Sequence, residues 1–324
     1  MEWVREGEVF APGPPGQPDC LRTMRPWVLE ENGAALRMWY SGHDGTTGRI
    51  LAAVRRPGEA WERLGVAIDA GFAGDSDQYG VESPCVVQTP GGYLMAYAGF
   101  DGEATRLHMA TSGDGHDWTP QGTIMQRGPQ DALAASHPCL VNTEGGWWLF
   151  FCGYDGAGDS RRSVILAAVS PSGASWDRVG VVLEPGEGEL ATSHPCVLVI
   201  ARTFYMFYAS DDGGRAAIAM ATSADGVSWD RHGTTLGATG SGAEAHGVHT
   251  PCAVRLHDGS LRMWYAGLAA DNAVSMRLLE AFGQACQDYR DRHRDAAAAT
   301  ETGVRASLPA GSIRRDHRGG SGSQ

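Results

Sequence analysis

The chain contains no run of about 18 apolar residues, so it offers no segment of the length a membrane-crossing helix needs. Its opening, Met1-Glu2-Trp3-Val4-Arg5, lacks the basic-then-apolar order of a secretory signal. The expectation is a cytoplasmic protein with no membrane partner. Basic residues are in short supply: 26 Lys and Arg stand against 38 Asp and Glu, a formal charge of −12. That balance argues against nucleic acid or an anionic membrane surface as the main partner, and it serves solubility. Cysteines are few and odd in number, seven in 324 residues, which does not read as a disulfide framework. Cys85, Cys139, Cys196 and Cys252 fall at equivalent places in a repeat and read as small core residues in a reducing compartment.

What the chain has in abundance is repetition. A short phrase is written five times, as Met24-Arg25-Pro26-Trp27, Glu82-Ser83-Pro84-Cys85, Ser136-His137-Pro138-Cys139, Ser193-His194-Pro195-Cys196 and His249-Thr250-Pro251-Cys252. A second phrase begins with Trp3, Trp61, Trp118, Trp176 and Trp229, at spacings of 58, 57, 58 and 53 residues. A period near 50 residues built of short strands and turns signifies propeller blades or a related array.

Four strands can be read in each period. The first is expected to follow the proline. The second is an aromatic run such as Met38-Trp39-Tyr40-Ser41-Gly42 or Met263-Trp264-Tyr265-Ala266-Gly267. The third is rich in alanine and β-branched residues, at 49–54, 107–111, 164–169, 216–222 and 273–278. The fourth begins at the tryptophan, after a hairpin such as Ser112-Gly113-Asp114-Gly115, in which Asp-Gly supplies the positive φ of the turn. The chain opens on a fourth strand and its last period supplies three, so the N-terminal strand can complete the last blade and close the ring without free sheet edges. The expected fold is therefore all-β: a five-bladed β-propeller with four-stranded blades over 1–280. Residues 281–299 could form a helix with Phe282, Cys286 and Tyr289 on one face, and 300–324 read as a disordered tail.

The proline-headed strand, the Tyr-x-Gly strand, the alanine-rich strand and the Asp-Gly-x-x-Trp hairpin together resemble the five-bladed propeller glycoside hydrolases, the group of arabinanases, β-xylosidases, invertases and mannoside phosphorylases. The resemblance spans roughly 1–280 and implies an axial pocket. In that group an Asp or Glu near the head of the first strands supplies the nucleophile or base, the pKa modulator and the acid. This chain departs from the pattern: Arg25, Ser83, His137, His194 and Thr250 precede the five prolines, and Glu82 is the one carboxylate within two residues of any of them. Glycoside hydrolysis calls for two carboxyl groups across the scissile bond.

Glu82, His137, His194 and His249 would come from four blades to one axis. Three imidazoles and a carboxylate are ligands for a divalent metal ion, or one His and the Glu can act as acid and base; equally, each His could be a hydrogen-bonded packing residue. Arg25, at the same level, needs an anionic partner, either Glu82 or an acidic group of the substrate. Asp19, Asp77, Asp131, Glu189 and Glu244 stand six or seven residues before their prolines; they read as substrate contacts, as the missing second carboxylate or as loop caps. Asp44, Asp101, Asp155 and Asp212 precede glycine and read as turn residues, whereas the nearby His43 and Tyr154 are candidate substrate contacts. Three functions follow: an enzyme acting on a small polar, sugar-like substrate through the His/Glu cluster, with or without a divalent metal; a glycosidase using the loop carboxylates; or a binding propeller without catalysis. Neither the substrate nor the oligomeric state is specified by any residue.

Overall fold

The computed structural model describes residues 3–31, 34–156, 162–269 and 276–283. Their strands pair antiparallel in four-stranded sets. The first set is β2 (Arg22–Glu30), β3 (Leu36–His43), β4 (Gly48–Arg55) and β5 (Glu62–Ile68). The second is β6 (Gly80–Thr89), β7 (Gly92–Phe100), β8 (Thr105–Ser112) and β9 (Thr119–Thr123). The third is β10 (Ala134–Thr143), β11 (Gly146–Tyr154), β12 (Val164–Ser170) and β13 (Asp177–Leu183). The fourth is β14 (Ala191–Ile200), β15 (Thr203–Asp211), β16 (Ala216–Ser223) and β17 (Asp230–Leu236). In the last, β18 (Gly247–Arg255), β19 (Leu261–Leu268) and β20 (Met276–Gly283) are joined by β1 (Trp3–Phe10), which pairs with β20. The N-terminal strand thus pairs with the last set, as expected, but along Leu278–Gly283, past the 273–278 expected for its partner. Residues 281–283 are therefore strand and not the start of a helix; the remainder of 281–299, and the tail 300–324, lie outside the described residues.

The prolines do not head the inner strands but sit within them. Each inner strand begins four residues earlier and pairs with the end of its neighbour, as Arg22 does with His43. The ladder then skips the residue before the proline and the proline itself, jumping from Met24 to Trp27, Glu82 to Cys85, Ser136 to Cys139, Ser193 to Cys196 and His249 to Cys252. A proline has no N–H to give, so a bulge is one of the few places within a sheet that accepts it. At every one of these bulges the residue before the proline is left-handed: Arg25 at φ 54°, Ser83 at 57°, His137 at 51°, His194 at 54° and Thr250 at 54°. For a residue other than glycine, each such position costs on the order of 1–3 kcal/mol.

The residue after each proline ties one set to the next. The Cys85 Sγ accepts the Leu140 N–H at 3.0 Å, Cys139 that of Val197 at 3.2 Å, Cys196 that of Ala253 at 3.2 Å, and Cys252 that of Val28 at 3.2 Å. In the first set the position belongs to Trp27, whose indole N–H donates to the Val86 carbonyl at 2.7 Å. These bonds lead from set to set and return to the first. The apolar cores lie between neighbouring sets: Trp39 and Tyr97 share one, Tyr40 and Trp264 another, Phe150 and Tyr208 a third. Trp27 packs against all five cores. Four cysteines leave room at the centre that one indole fills. Trp27→Cys, which makes the five positions more alike, is expected to lower stability by about 3 kcal/mol or more through the cavity it opens. Denaturant unfolding checks this, and a midpoint unchanged from the parent would show that the indole does not hold the centre.

Candidate active site

The five loop acids are consumed by the scaffold. Asp19 is fully buried and accepts from the Tyr40 hydroxyl and from Arg63 Nε, both at 2.9 Å. Glu244 accepts from Tyr265 at 2.7 Å and Arg5 Nε at 3.1 Å. Asp131, fully buried, holds Arg178 at 2.8 Å and the Gly128 N–H at 2.7 Å. Glu189 holds Arg231 at 2.7 Å and the Ser210 hydroxyl at 2.6 Å. The common unit is an acid ahead of the inner strand and an arginine two residues after the repeat tryptophan on the outer strand, with a tyrosine of the second strand added in some sets. In the second set Pro120 takes the arginine's place, and Asp77 keeps its tyrosine bond, from Tyr97 at 3.2 Å. The glycine of the Tyr-x-Gly phrase makes room for the acid: a Cβ on Gly99 would lie 2.4 Å from that of Asp77. Asp19, Asp77, Asp131, Glu189 and Glu244 are therefore clasps and not substrate contacts. Their arginine partners, Arg5, Arg63, Arg178 and Arg231, were written in the sequence as Trp-x-Arg.

Three of the turn aspartates, Asp44, Asp101 and Asp212, cap their own loops as expected. The Asp44 Oδ1 accepts the N–H groups of Thr46 and Thr47, Asp101 those of Glu103 and Ala104, and Asp212 those of Gly214 and Arg215. These bonds, led at Asp44 by that of the Thr46 hydroxyl, hold the three carboxyls below the usual carboxylate range. His43 turns to its own loop, its Nδ1 accepting the Gly45 N–H at 2.9 Å. Burial, then Arg22, lowers its pKa.

The remaining candidates come together. Arg25 is ion-paired with Glu82. The rings of His137 and His194 have centroids 3.7 Å apart, and those of His194 and His249 5.6 Å. The Ser136 and Ser193 hydroxyls each lie 2.7 Å from the Nδ1 of the following histidine. Burial first, then the charge of Arg25 and the His249 imidazole, pushes His137 far below its ordinary value. Burial, then His137, does the same to His194. Burial, then Arg25, brings His249 down to about 4. All three imidazoles are neutral at pH 7.

Arg25, Glu82, Ser136, His137 and Tyr154 line one cleft of about 360 Å³ with Phe100, Glu103, Thr105 and Leu133. Burial pushes the Tyr154 phenol up, so it is a proton donor throughout the neutral range. The Nε2 of His137 is buried without a hydrogen-bond partner among the described residues. Sequence reasoning missed Glu103, a second carboxylate in the cleft wall; its signal was its place straight after the Asp101-Gly102 turn.

The expected metal ligands His137, His194, His249 and Glu82 do not form a ligand set. Among the described residues no group of three or more His, Cys, Asp or Glu side chains is placed to hold a metal ion. Glu82 is turned onto Arg25, the Nδ1 atoms of His137 and His194 onto serines, and the guanidinium repels a further cation.

Removing one partner of a buried clasp strands the other. Asp131→Asn and Arg178→Gln are each expected to lower stability by about 3 kcal/mol, and the double variant by less than the sum. Thermal or denaturant unfolding of the cycle checks this; additive losses would mean the two side chains do not interact.

No family model matches the chain, and no curated protein sequence does. Solved structures do match. A glycosyl hydrolase from Bacteroides ovatus is 16% identical with a TM-score of 0.66, over 85% of this chain and 90% of that one. A thermostable family-43 glycoside hydrolase is 14% identical with a TM-score of 0.63, over 80% and 88%. The sucrose-6-phosphate hydrolase of Lactobacillus gasseri is 13% identical with a TM-score of 0.65, over 84% of this chain and 59% of that one. At such identities the likeness is one of fold, and the chain has the propeller-type, all-β fold of these glycoside hydrolases.

Proposed function

We propose that the five strand sets are the blades of a closed five-bladed propeller, and that the chain is an enzyme acting on a small polar, sugar-like substrate in the cleft beside its axis. Closure is supported by the β1–β20 pairing, the Cys252–Val28 bond and the core shared between the first and last sets. A carbohydrate substrate is supported by the glycoside hydrolases that share the fold. The observation that carries the enzymatic reading is His137. A buried polar atom left without a partner is costly, and such atoms persist in native proteins where a ligand or a reaction uses them.

The geometry divides the labour. With Nδ1 held by Ser136, the Nε2 of His137 is the ring atom that exchanges a proton with the substrate. It donates when the serine hydroxyl donates to Nδ1, and accepts when Nδ1–H donates to the serine. Burial keeps the ring neutral and able to do either. Glu82 and Glu103 are the two carboxylates of the cleft wall, the number that glycosidic hydrolysis requires. Arg25 orients Glu82 and offers its remaining donors to a polar or anionic substituent, while Tyr154 supplies a hydroxyl. His194 and His249 flank His137 without lining the cleft, so they act through it as positioning residues.

A panel of aryl glycosides and sugar phosphates supplies the assay. His137→Gln and Glu82→Gln are expected to lower kcat by on the order of a hundredfold or more. Asp131→Asn, scaled to its folded fraction, is expected to keep the parental kcat. Full turnover by the His137 variant, or loss of turnover in folded Asp131→Asn, would overturn the assignment. A parent protein that binds sugars without turning any over would make this a binding propeller.

A further inference from the structure

Sharing Arg25 and His137 with the cleft is a second, smaller space, bounded by the five prolines of the inner strands and the left-handed residues before them. It has room of about 30 Å³, which suits a water molecule or a small ion and is far too little for a sugar ring. Besides the His137 Nε2 already assigned to the cleft, three polar atoms of its lining residues have no hydrogen-bond partner among the described residues: Ser83 Oγ, Thr250 Oγ1 and Arg25 Nε. Ser83 and Thr250 are 3% and 4% exposed, so solvent does not satisfy them. The three belong to successive sets, the last, first and second, and so occupy one continuous arc. His137 and His194 close the other side as neutral rings.

Every atom of that arc can donate at once. Arg25 Nε–H is a donor and nothing else, and the two hydroxyls rotate to suit. Among the described residues Arg25 is the one charged residue bounding the space, and no carboxylate does so. Glu82 lies on the far side of the guanidinium, on Nη1, and leaves Nε free. A cation here would meet Arg25 with no acid to offset it. We propose that this space is a binding site for a monovalent halide, chloride under physiological conditions, held by Ser83 Oγ–H, Thr250 Oγ1–H and Arg25 Nε–H. The anion satisfies the three orphaned donors and fixes the guanidinium, and with it Glu82, in the orientation the cleft presents.

Two measurements on the full chain test this. Melting temperature is followed against sodium chloride and sodium bromide, with sodium gluconate at matched ionic strength as the control. A saturable rise with the halides alone is expected, with the half-saturating concentration raised about tenfold in Thr250→Ala and in Ser83→Ala, the loss of one charge-supported hydrogen bond. Crystals of the parent grown in bromide are expected to show an anomalous peak within hydrogen-bonding distance of Ser83 Oγ and Thr250 Oγ1. Equal melting curves in halide and gluconate, or a peak at this position with no anomalous signal, would make the occupant water and overturn the proposal. The crystal keeps the test decisive should either variant fail to fold.

Discussion

A left-handed residue ahead of a proline, set into the innermost strand of every repeat, is the constraint on which the rest of the structure depends. The backbone reverses hand there for one residue, and the sheet ladder skips it and the proline together. Glycine would relieve the strain at each of the five places, but it would bring no side chain. The chain keeps Arg25, Ser83, His137, His194 and Thr250 instead, and all five border the central space. Strain held at repeated positions, each bearing a polar group, is the ground on which binding and chemistry are proposed there.

The same repeat shows how a symmetric scaffold is made asymmetric. Four cysteines and one tryptophan occupy equivalent positions, and the tryptophan alone reaches every core. The acid-and-arginine clasp recurs in four of the sets and loses its arginine at Pro120. With the loop acids locked into the scaffold, the carboxylates available to chemistry are those that line the cleft. Neutral imidazoles and one arginine–glutamate pair then stand where related folds are expected to carry several carboxylates.

Much of this was legible in the sequence because it repeats. The tryptophan spacing, the alternation of strand types and the N-terminal strand's pairing with the last set follow from local patterns written several times over. So does the meeting of His137, His194 and His249, once the repeat is laid on a ring. What was not legible depends on pairing across the fold. Glu82 stood both as a metal ligand and as one of the two partners open to Arg25, and only its placement decided for the arginine. Asp19 and Glu244 looked available until Tyr40, Arg63, Tyr265 and Arg5 were seen to hold them. The prolines looked like strand heads because a bulge that hides a proline inside a ladder leaves no trace in hydrophobic periodicity. Glu103 belongs to a turn whose aspartate dominates its signal.

The central claim is that the histidines of the axis are kept neutral so that one of them can exchange protons with a substrate. Nitrogen-15 NMR titration of the imidazoles, assigned by single His→Gln substitutions, tests it most directly. His249 is expected to titrate at about 4, and His137 and His194 are expected to stay neutral down to the acid limit of folding. A midpoint near 6.5 for His137 would mean a ring that solvent reaches and charges freely, and would contradict the account.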